Sequence, residues 1–245
     1  MGKVAKLFLL PGMMCDERLF SSQSHALSEL CICVNADFTH GESVADYAEQ
    51  VIELIRSHGD TDSHSSLNIL VGLSMGGIVL MECMRLAPEL IDAVVLMDTN
   101  PFAEDATRRL LRAPQIQRAL DGELETILIE EMKPLYLAPV NRSNEALLSL
   151  VLDMARKLGS DVFAKQSQAL MNRRDNSEAL ASWKKPALIL YGAHDHLCPK
   201  QRHLQMHELM PQSVLVEVVD AGHLPTLEMP EVVNDSLRSF VRSLQ

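Results

Sequence analysis

Residues 67–81 read Leu67-Asn68-Ile69-Leu70-Val71-Gly72-Leu73-Ser74-Met75-Gly76-Gly77-Ile78-Val79-Leu80-Met81. A glycine-flanked serine separates two apolar runs. The first, ending at Val71, is of strand length and does not alternate, as expected of a strand buried on both faces of a parallel sheet. The second predicts a helix over 78–87, stopped near Pro88. Between them Gly72-Leu73-Ser74-Met75-Gly76 spells G-x-S-x-G, a sharp strand-to-helix turn that lifts a hydroxyl above the end of a sheet. Crowding explains the glycines, because a nucleophile on so tight a turn leaves room only for small neighbours. The turn also sets the Met75 backbone N–H at a helix start, where a developing oxyanion is stabilised. A glycine-rich turn carrying a surface serine is the alternative reading of this segment taken alone.

The same rhythm extends on both sides. Residues 4–10 predict a strand closed by Pro11-Gly12, 23–30 a helix, and 30–35 a second strand. The basic-then-apolar start imitates a signal peptide, but its apolar run is short, Pro11-Gly12 stops it, and no small-residue cleavage site follows. Ser43 reads as a helix cap with Asp46 three residues on, followed by Val44, Tyr47, Ala48, Val51, Ile52 and Ile55 at helical spacing. Residues 56–66 read as a polar surface loop, and His58 and His64 within it lack partners at metal-ligand spacing. A strand follows at 93–97.

After Pro101 the rhythm changes. Helices are predicted over 106–120, 124–132, 144–158 and 162–171, punctuated by Pro134, Pro139 and Gly159, with no convincing strand. Strand and helix then resume: strand 187–191, helix 200–210, strand 213–219, and helix 230–244 with Val232, Val233, Leu237, Phe240 and Val241 as its inner face. The pattern predicts an α/β chain: a mostly parallel sheet with helices on both faces, built from residues 1–100 and 183–245, and a helical insertion over 101–182.

Composition sets the limits. The chain has 245 residues and a formal charge of −11, so it lacks the basic footprint needed to bind phosphate backbones, and nucleic acid is excluded as a partner. No run approaches 18 apolar residues, so no membrane span is expected. Five cysteines, of which Cys31 and Cys33 form C-x-C without a second pair, predict free thiols in a reducing cytoplasm rather than a disulfide framework or zinc site.

A serine hydroxyl needs a base. His223 is best placed, in a glycine-containing loop directly after a strand; such loops gather at one rim of a parallel sheet, where the 72–76 turn also sits. The base needs a carboxylate to fix its tautomer, and Asp195 follows the strand at 187–191 to the same rim. Asp98, at the end of the strand at 93–97, competes for that role. His194 and His196 flank Asp195 and read as rim residues. The second oxyanion donor is expected in the loop after the first strand, where Gly12 lets the backbone turn inward and Met13 offers its N–H.

Four separated motifs in this order resemble the α/β-hydrolase superfamily over nearly the whole chain. Leu9-Leu10-Pro11-Gly12-Met13 resembles the strand and oxyanion loop, with Pro11-Gly12 where the family more often has His-Gly. Gly72-Leu73-Ser74-Met75-Gly76-Gly77 resembles the elbow, Gly192-Ala193-His194-Asp195-His196-Leu197-Cys198-Pro199 the acid loop, and Ala221-Gly222-His223-Leu224-Pro225 the histidine loop. The opening from Leu10 to Phe20 is similar to a bacterial subgroup of small carboxylesterase-like hydrolases. The resemblance implies a Ser74-His223-Asp195 triad with oxyanion donors at Met13 and Met75, acting on a small-molecule ester or thioester without metal or organic cofactor. It implies that the insertion is a helical cap. A thioesterase, lactonase, amidase or carbon–carbon bond hydrolase would use the same triad, and a non-catalytic ligand-binding member would keep only the fold. Met13, Met14, Met75, Leu135, Tyr136, Met154 and Phe163 are candidates to line the pocket, with plain core packing as the alternative for each. Arg108, Arg109 and Arg112 read as a solvated helix face, with an acidic substrate as the other possibility.

Overall fold

The computed structural model describes residues 4–58, 66–132 and 135–245. Six strands form one sheet: β1 (Val4–Leu10), β2 (Cys31–Asn35), β3 (Ser66–Leu73), β4 (Ala93–Met97), β5 (Ala187–Gly192) and β6 (Val214–Val218). Their order is β2-β1-β3-β4-β5-β6 and every pairing is parallel. The chain therefore leaves β1 in one direction to make β2 and crosses back to make β3. Ligands of open parallel sheets bind beyond the carboxyl ends of the strands at such a reversal, here between the loops that follow β1 and β3.

The helices are α1 (Ser21–Ala26), α2 (Val44–Ser57), α3 (Met75–Leu86), α4 (Ala106–Arg118), α5 (Leu124–Ile127), α6 (Glu145–Met171), α7 (Ser177–Ser182), α8 (Lys200–Leu209), α9 (Pro225–Glu228) and α10 (Pro230–Leu244). Side chains alternate across the sheet as its pleat demands. Phe8, Leu10, Leu70, Leu96 and Ile189 pack under α2, α3 and α8. Their neighbours Leu7, Leu9, Ile69, Val71, Val95 and Leu190 pack with Phe20 and Leu27 beside α1 and with Val233, Leu237 and Val241 of α10. Both faces are dry, which is why these strands read as unbroken apolar runs.

Most predicted elements are present with shifted ends. Ser43 and Asp46 form a reciprocal capping box on α2: Ser43 Oγ accepts from Asp46 N at 3.1 Å and Asp46 Oδ2 accepts from Ser43 N at 3.0 Å. The helix predicted over 23–30 ends at Ala26, because the chain must turn at buried Leu27 to begin β2. The loop predicted over 56–66 is shorter at both ends, since α2 runs through Ser57 and β3 begins at Ser66; His64 lies outside the described residues. Val232 is 37% exposed and does not belong to the inner face of α10. It stands one residue, about 100°, away from the stripe through Val233, Leu237 and Val241. All five cysteines are free.

Between β4 and β5 the described residues are helical or irregular. The two helices predicted on either side of Gly159 form one element, α6, bent where Gly159 takes φ 81° and ψ 175°. Met14, Ala119, Ile127, Leu128, Leu152, Ala155 and Phe163 make a small core of their own above the sheet end. Polar bonds fasten this segment to the loops after β1 and β2 and tie its end to its own start after β4. Gln166 Oε1 accepts from Met14 N at 2.8 Å, Gln166 Nε2 donates to Phe38 O at 3.1 Å, and Arg173 Nε donates to Phe102 O at 2.9 Å.

Candidate active site

Ser74 sits between β3 and α3 with φ 56° and ψ −113°, a left-handed conformation that costs about 1–3 kcal/mol. Close approach makes the flanking glycines necessary. A Cβ on Gly76 would lie 2.0 Å from Leu10 O, and one on Gly72 2.5 Å from Gly76 O. The turn is thus pressed against the end of β1, and it carries Ser74 beside Gly12, whose own Cβ position is 3.5 Å from that of Ser74.

The loops after β5 and β6 meet in the same way. A Cβ on Gly192 would fall 1.9 Å from Gly222 O, so only glycine lets the two loops touch. Their contact brings Asp195 and His223 together. His223 Nδ1 and Asp195 Oδ2 are 2.8 Å apart, and His223 Nε2 and Ser74 Oγ are 2.8 Å apart. Asp195 Oδ1 accepts from Leu197 N at 2.7 Å and Cys198 N at 2.9 Å. Burial pushes the Asp195 carboxyl up, but the neighbouring imidazole and these hydrogen bonds outweigh it and hold the group below the ordinary carboxylate range.

Asp98 does not touch His223. Its Oδ1 accepts from Gly192 N at 2.9 Å, and its Oδ2 is buried without a hydrogen-bond partner. Burial, and then the charge of Asp195, push the Asp98 carboxyl well above its ordinary range. Two carboxyls in one dry site cannot both ionise cheaply, and the two groups are pushed in opposite directions, Asp98 up and Asp195 down. Asp195, Cys198 and His223 also present possible metal-ligand atoms within 4.8 Å of one another. Hydrogen bonds among their own groups already close that cluster, and burial raises the Cys198 thiol, keeping it neutral.

Among the described residues, the backbone N–H groups of Met13 and Met75 have no hydrogen-bond acceptor. Met75 opens α3, whose first N–H groups have no partner within the helix. Both residues line a cavity of about 100 Å³ together with Ser74, Tyr136 and His223.

The pocket candidates divide between cavity wall and core, and the reading of the arginines is corrected. Met14, Met154 and Phe163 are core residues, and exposed Leu135 lies outside the cavity lining. Met14 is turned away because its backbone is tied to Gln166. Arg109 is exposed, as a solvated face requires, but Arg108 and Arg112 line the cavity. Arg112 is drawn in by buried Glu104 at 2.7 Å, and Arg108 by Leu197 O at 2.8 Å.

Sequence reasoning missed Glu228 and Arg173. Glu228 is buried in α9, where Oε2 accepts from Ala138 N at 2.7 Å and Asn141 Nδ2 at 3.1 Å, and Oε1 from Gly222 N at 2.8 Å. It ties the histidine loop to the segment carrying Tyr136, whose carbonyl accepts from His223 N at 2.7 Å and whose ring stacks on the imidazole. A charged residue between Leu227 and Met229 was the only local signal for it.

Residues 7–236 match the Alpha/beta hydrolase family, and the chain belongs to it. The pimeloyl-[acyl-carrier protein] methyl ester esterase of Photobacterium profundum is 27% identical over 179 residues, which are 70% of this chain and 69% of that one. A thermophilic esterase from Thermogutta terrifontis, solved with malate bound, superposes with a TM-score of 0.89 at 22% identity, covering 100% of this chain and 92% of that one. The enol-lactonase of Burkholderia xenovorans LB400 gives 0.85 at 18% identity, covering 98% and 92%. These two structures establish the likeness of fold. No helix among the described residues is long and apolar enough to cross a membrane.

Proposed function

We propose that the protein is a serine hydrolase that cleaves a carboxylic ester of a small or medium substrate through an acyl-enzyme. One observation carries the reading: hydroxyl, imidazole and carboxylate stand in line through two hydrogen bonds of 2.8 Å, at the wall of a cavity. In this reading His223 Nε2 takes the Ser74 proton as Oγ attacks the ester carbonyl. Asp195 remains ionised, holds the Nδ1–H tautomer and steadies the imidazolium. The Met75 and Met13 N–H groups receive the oxyanion, and loss of one such donor costs about 3 kcal/mol in the transition state. His223 then protonates the leaving alkoxide. It next activates a water that attacks the acyl-enzyme, releasing the acid and returning the proton to Ser74. The residues over 101–182 act as a cap on a core of 1–100 and 183–245, and the insertion's contribution of Tyr136 to the cavity supports this. Five free thiols fit a cytoplasmic setting.

A fluorophosphonate probe tests the assignment. It should label the wild-type protein and fail to label Ser74→Ala of equal folding. Labelling that persists in the variant removes Ser74 as nucleophile. Rates on esters and thioesters of graded acyl length then set the preferred bond.

A further inference from the structure

The cavity beside Ser74 is lined by three arginines, Arg108, Arg112 and Arg173, and by no aspartate or glutamate among the described residues. This is unexpected in a chain with a formal charge of −11. Nor are the arginines solvated surface residues: the Arg112 side chain is 15% exposed and that of Arg173 is 6% exposed.

The counter-charge is incomplete. Glu104, with a fully buried side chain, faces two of them through a single oxygen: Oε2 lies 2.7 Å from Arg112 Nε and 3.0 Å from Arg173 Nη1. Arg108 has only a neutral partner, the carbonyl of Leu197. Glu104 is the one carboxylate ion-paired with these guanidiniums among the described residues, and exposed Asp105 acts on Arg108 by charge alone, so positive charge predominates on the cavity wall. Burial, and further the like charge of Arg112, push Arg173 below its ordinary value, although Glu104 opposes them. Such an excess of desolvated cations is costly unless an anion completes it. Further N–H groups on each guanidinium have no partner among the described residues. Their planar forks match a carboxylate in shape.

We propose that the substrate is an ester that also bears a free carboxylate, a half-ester of a small dicarboxylic acid, whose acid group is bound by Arg108, Arg112 and Arg173. The proposal deepens the serine-hydrolase reading and rests on it for the ester; the anion site itself rests on the arginines. Arg173 and Arg112 also brace the insertion through Glu104, so Arg108 is the residue whose loss bears on recognition with least effect on folding.

Two measurements test this. In the first, kcat/KM is compared for monomethyl glutarate and for methyl valerate, a neutral ester of similar size. The half-ester should be preferred by about tenfold or more. Arg108→Gln should lower that ratio about tenfold, while Arg109→Gln, an exposed neighbour, leaves it unchanged. A wild-type preference for methyl valerate, or an Arg108→Gln ratio equal to that of wild type, overturns the proposal. The second measurement does not depend on turnover. Glutarate should bind Ser74→Ala, read by calorimetry, and binding should weaken about tenfold when Arg108→Gln is added. Failure to bind, with fluorophosphonate labelling of the wild type intact, sinks the anion site and spares the hydrolase reading. Arginine-dependent binding without labelling does the reverse.

Discussion

Replacing Glu228 with glutamine would test whether the histidine loop is held by one buried carboxylate. Its Oε2 accepts from Ala138 N and Asn141 Nδ2, and its Oε1 from Gly222 N at 2.8 Å and more weakly from Leu224 N at 3.4 Å. In Glu228→Gln one of those oxygens becomes an NH2 group facing N–H donors. The best arrangement keeps oxygen toward Ala138 and Asn141 and orphans Gly222 N, at a cost of about 1–3 kcal/mol. The remaining bonds lose their charge assistance, about 1 kcal/mol each. The sum is about 3–5 kcal/mol, which for a chain of this size lowers Tm by about 6–20 °C. Gly222 precedes His223, so a slack loop should also lower kcat on an activated ester by about tenfold, with KM less affected. Thermal melts followed by circular dichroism and initial rates measure both. A Tm within about 1 °C of wild type, with kcat unchanged, would show that the carboxylate holds nothing.

Asp195→Asn should lower turnover by about 10³-fold or more, whereas Asp98→Asn should stay within about tenfold, because Asp195 bonds the imidazole while the one hydrogen bond of Asp98, from Gly192 N, can be kept by an amide oxygen. The opposite ranking would move the acid to the end of β4. Ser74→Gly should abolish turnover yet raise Tm by about 2–4 °C, through relief of the positive φ; an unchanged or lower Tm would refute the strain. His203 is buried against Tyr191 and accepts Thr99 N–H at 3.2 Å through Nε2, and burial pushes it down from 6.5 to about 4. The unfolded imidazole takes up its proton below pH 6.5 and the native one only near pH 4, so stability falls with pH across that window by about 3 kcal/mol. Chemical denaturation of His203→Gln at pH 7 and pH 4.5 should show a smaller loss than wild type, and equal losses would discard the mechanism.

The parts of the molecule legible in the sequence are those whose physics is local. Residues 67–81 announce a buried strand, a crowded turn and a helix, because apolar content and glycine crowding are properties of the segment itself. Asp195 and His223 were found because each lies in a short loop just after an apolar strand, and parallel topology sends such loops to one rim. Glu228, Gln166 and Arg173 were not legible because their partners, Ala138, Met14 and Phe102, lie far away in sequence. Their side-chain directions follow from how the segment between β4 and β5 settles on the sheet end. The same cause left Met154 and Phe163 open between cavity wall and core, since methionine and phenylalanine suit both equally; the structure gives core. Arg108 and Arg112 read as solvated because their helix has no apolar stripe; the pull of Glu104 and of the Leu197 carbonyl is invisible from that helix alone.

The fastening of α6 onto the sheet end has a bearing on how this architecture can change by descent. At that joint Met14, Phe38 and Phe102 offer only main-chain atoms, whereas position 166 and position 173 supply the side chains. The three loop positions are therefore free to drift in identity, as far as these bonds are concerned, while the joint persists. Mutation can loosen it most directly by altering the amide at 166, within α6, or the guanidinium at 173, just beyond its end, and a single change at either breaks bonds to two partners.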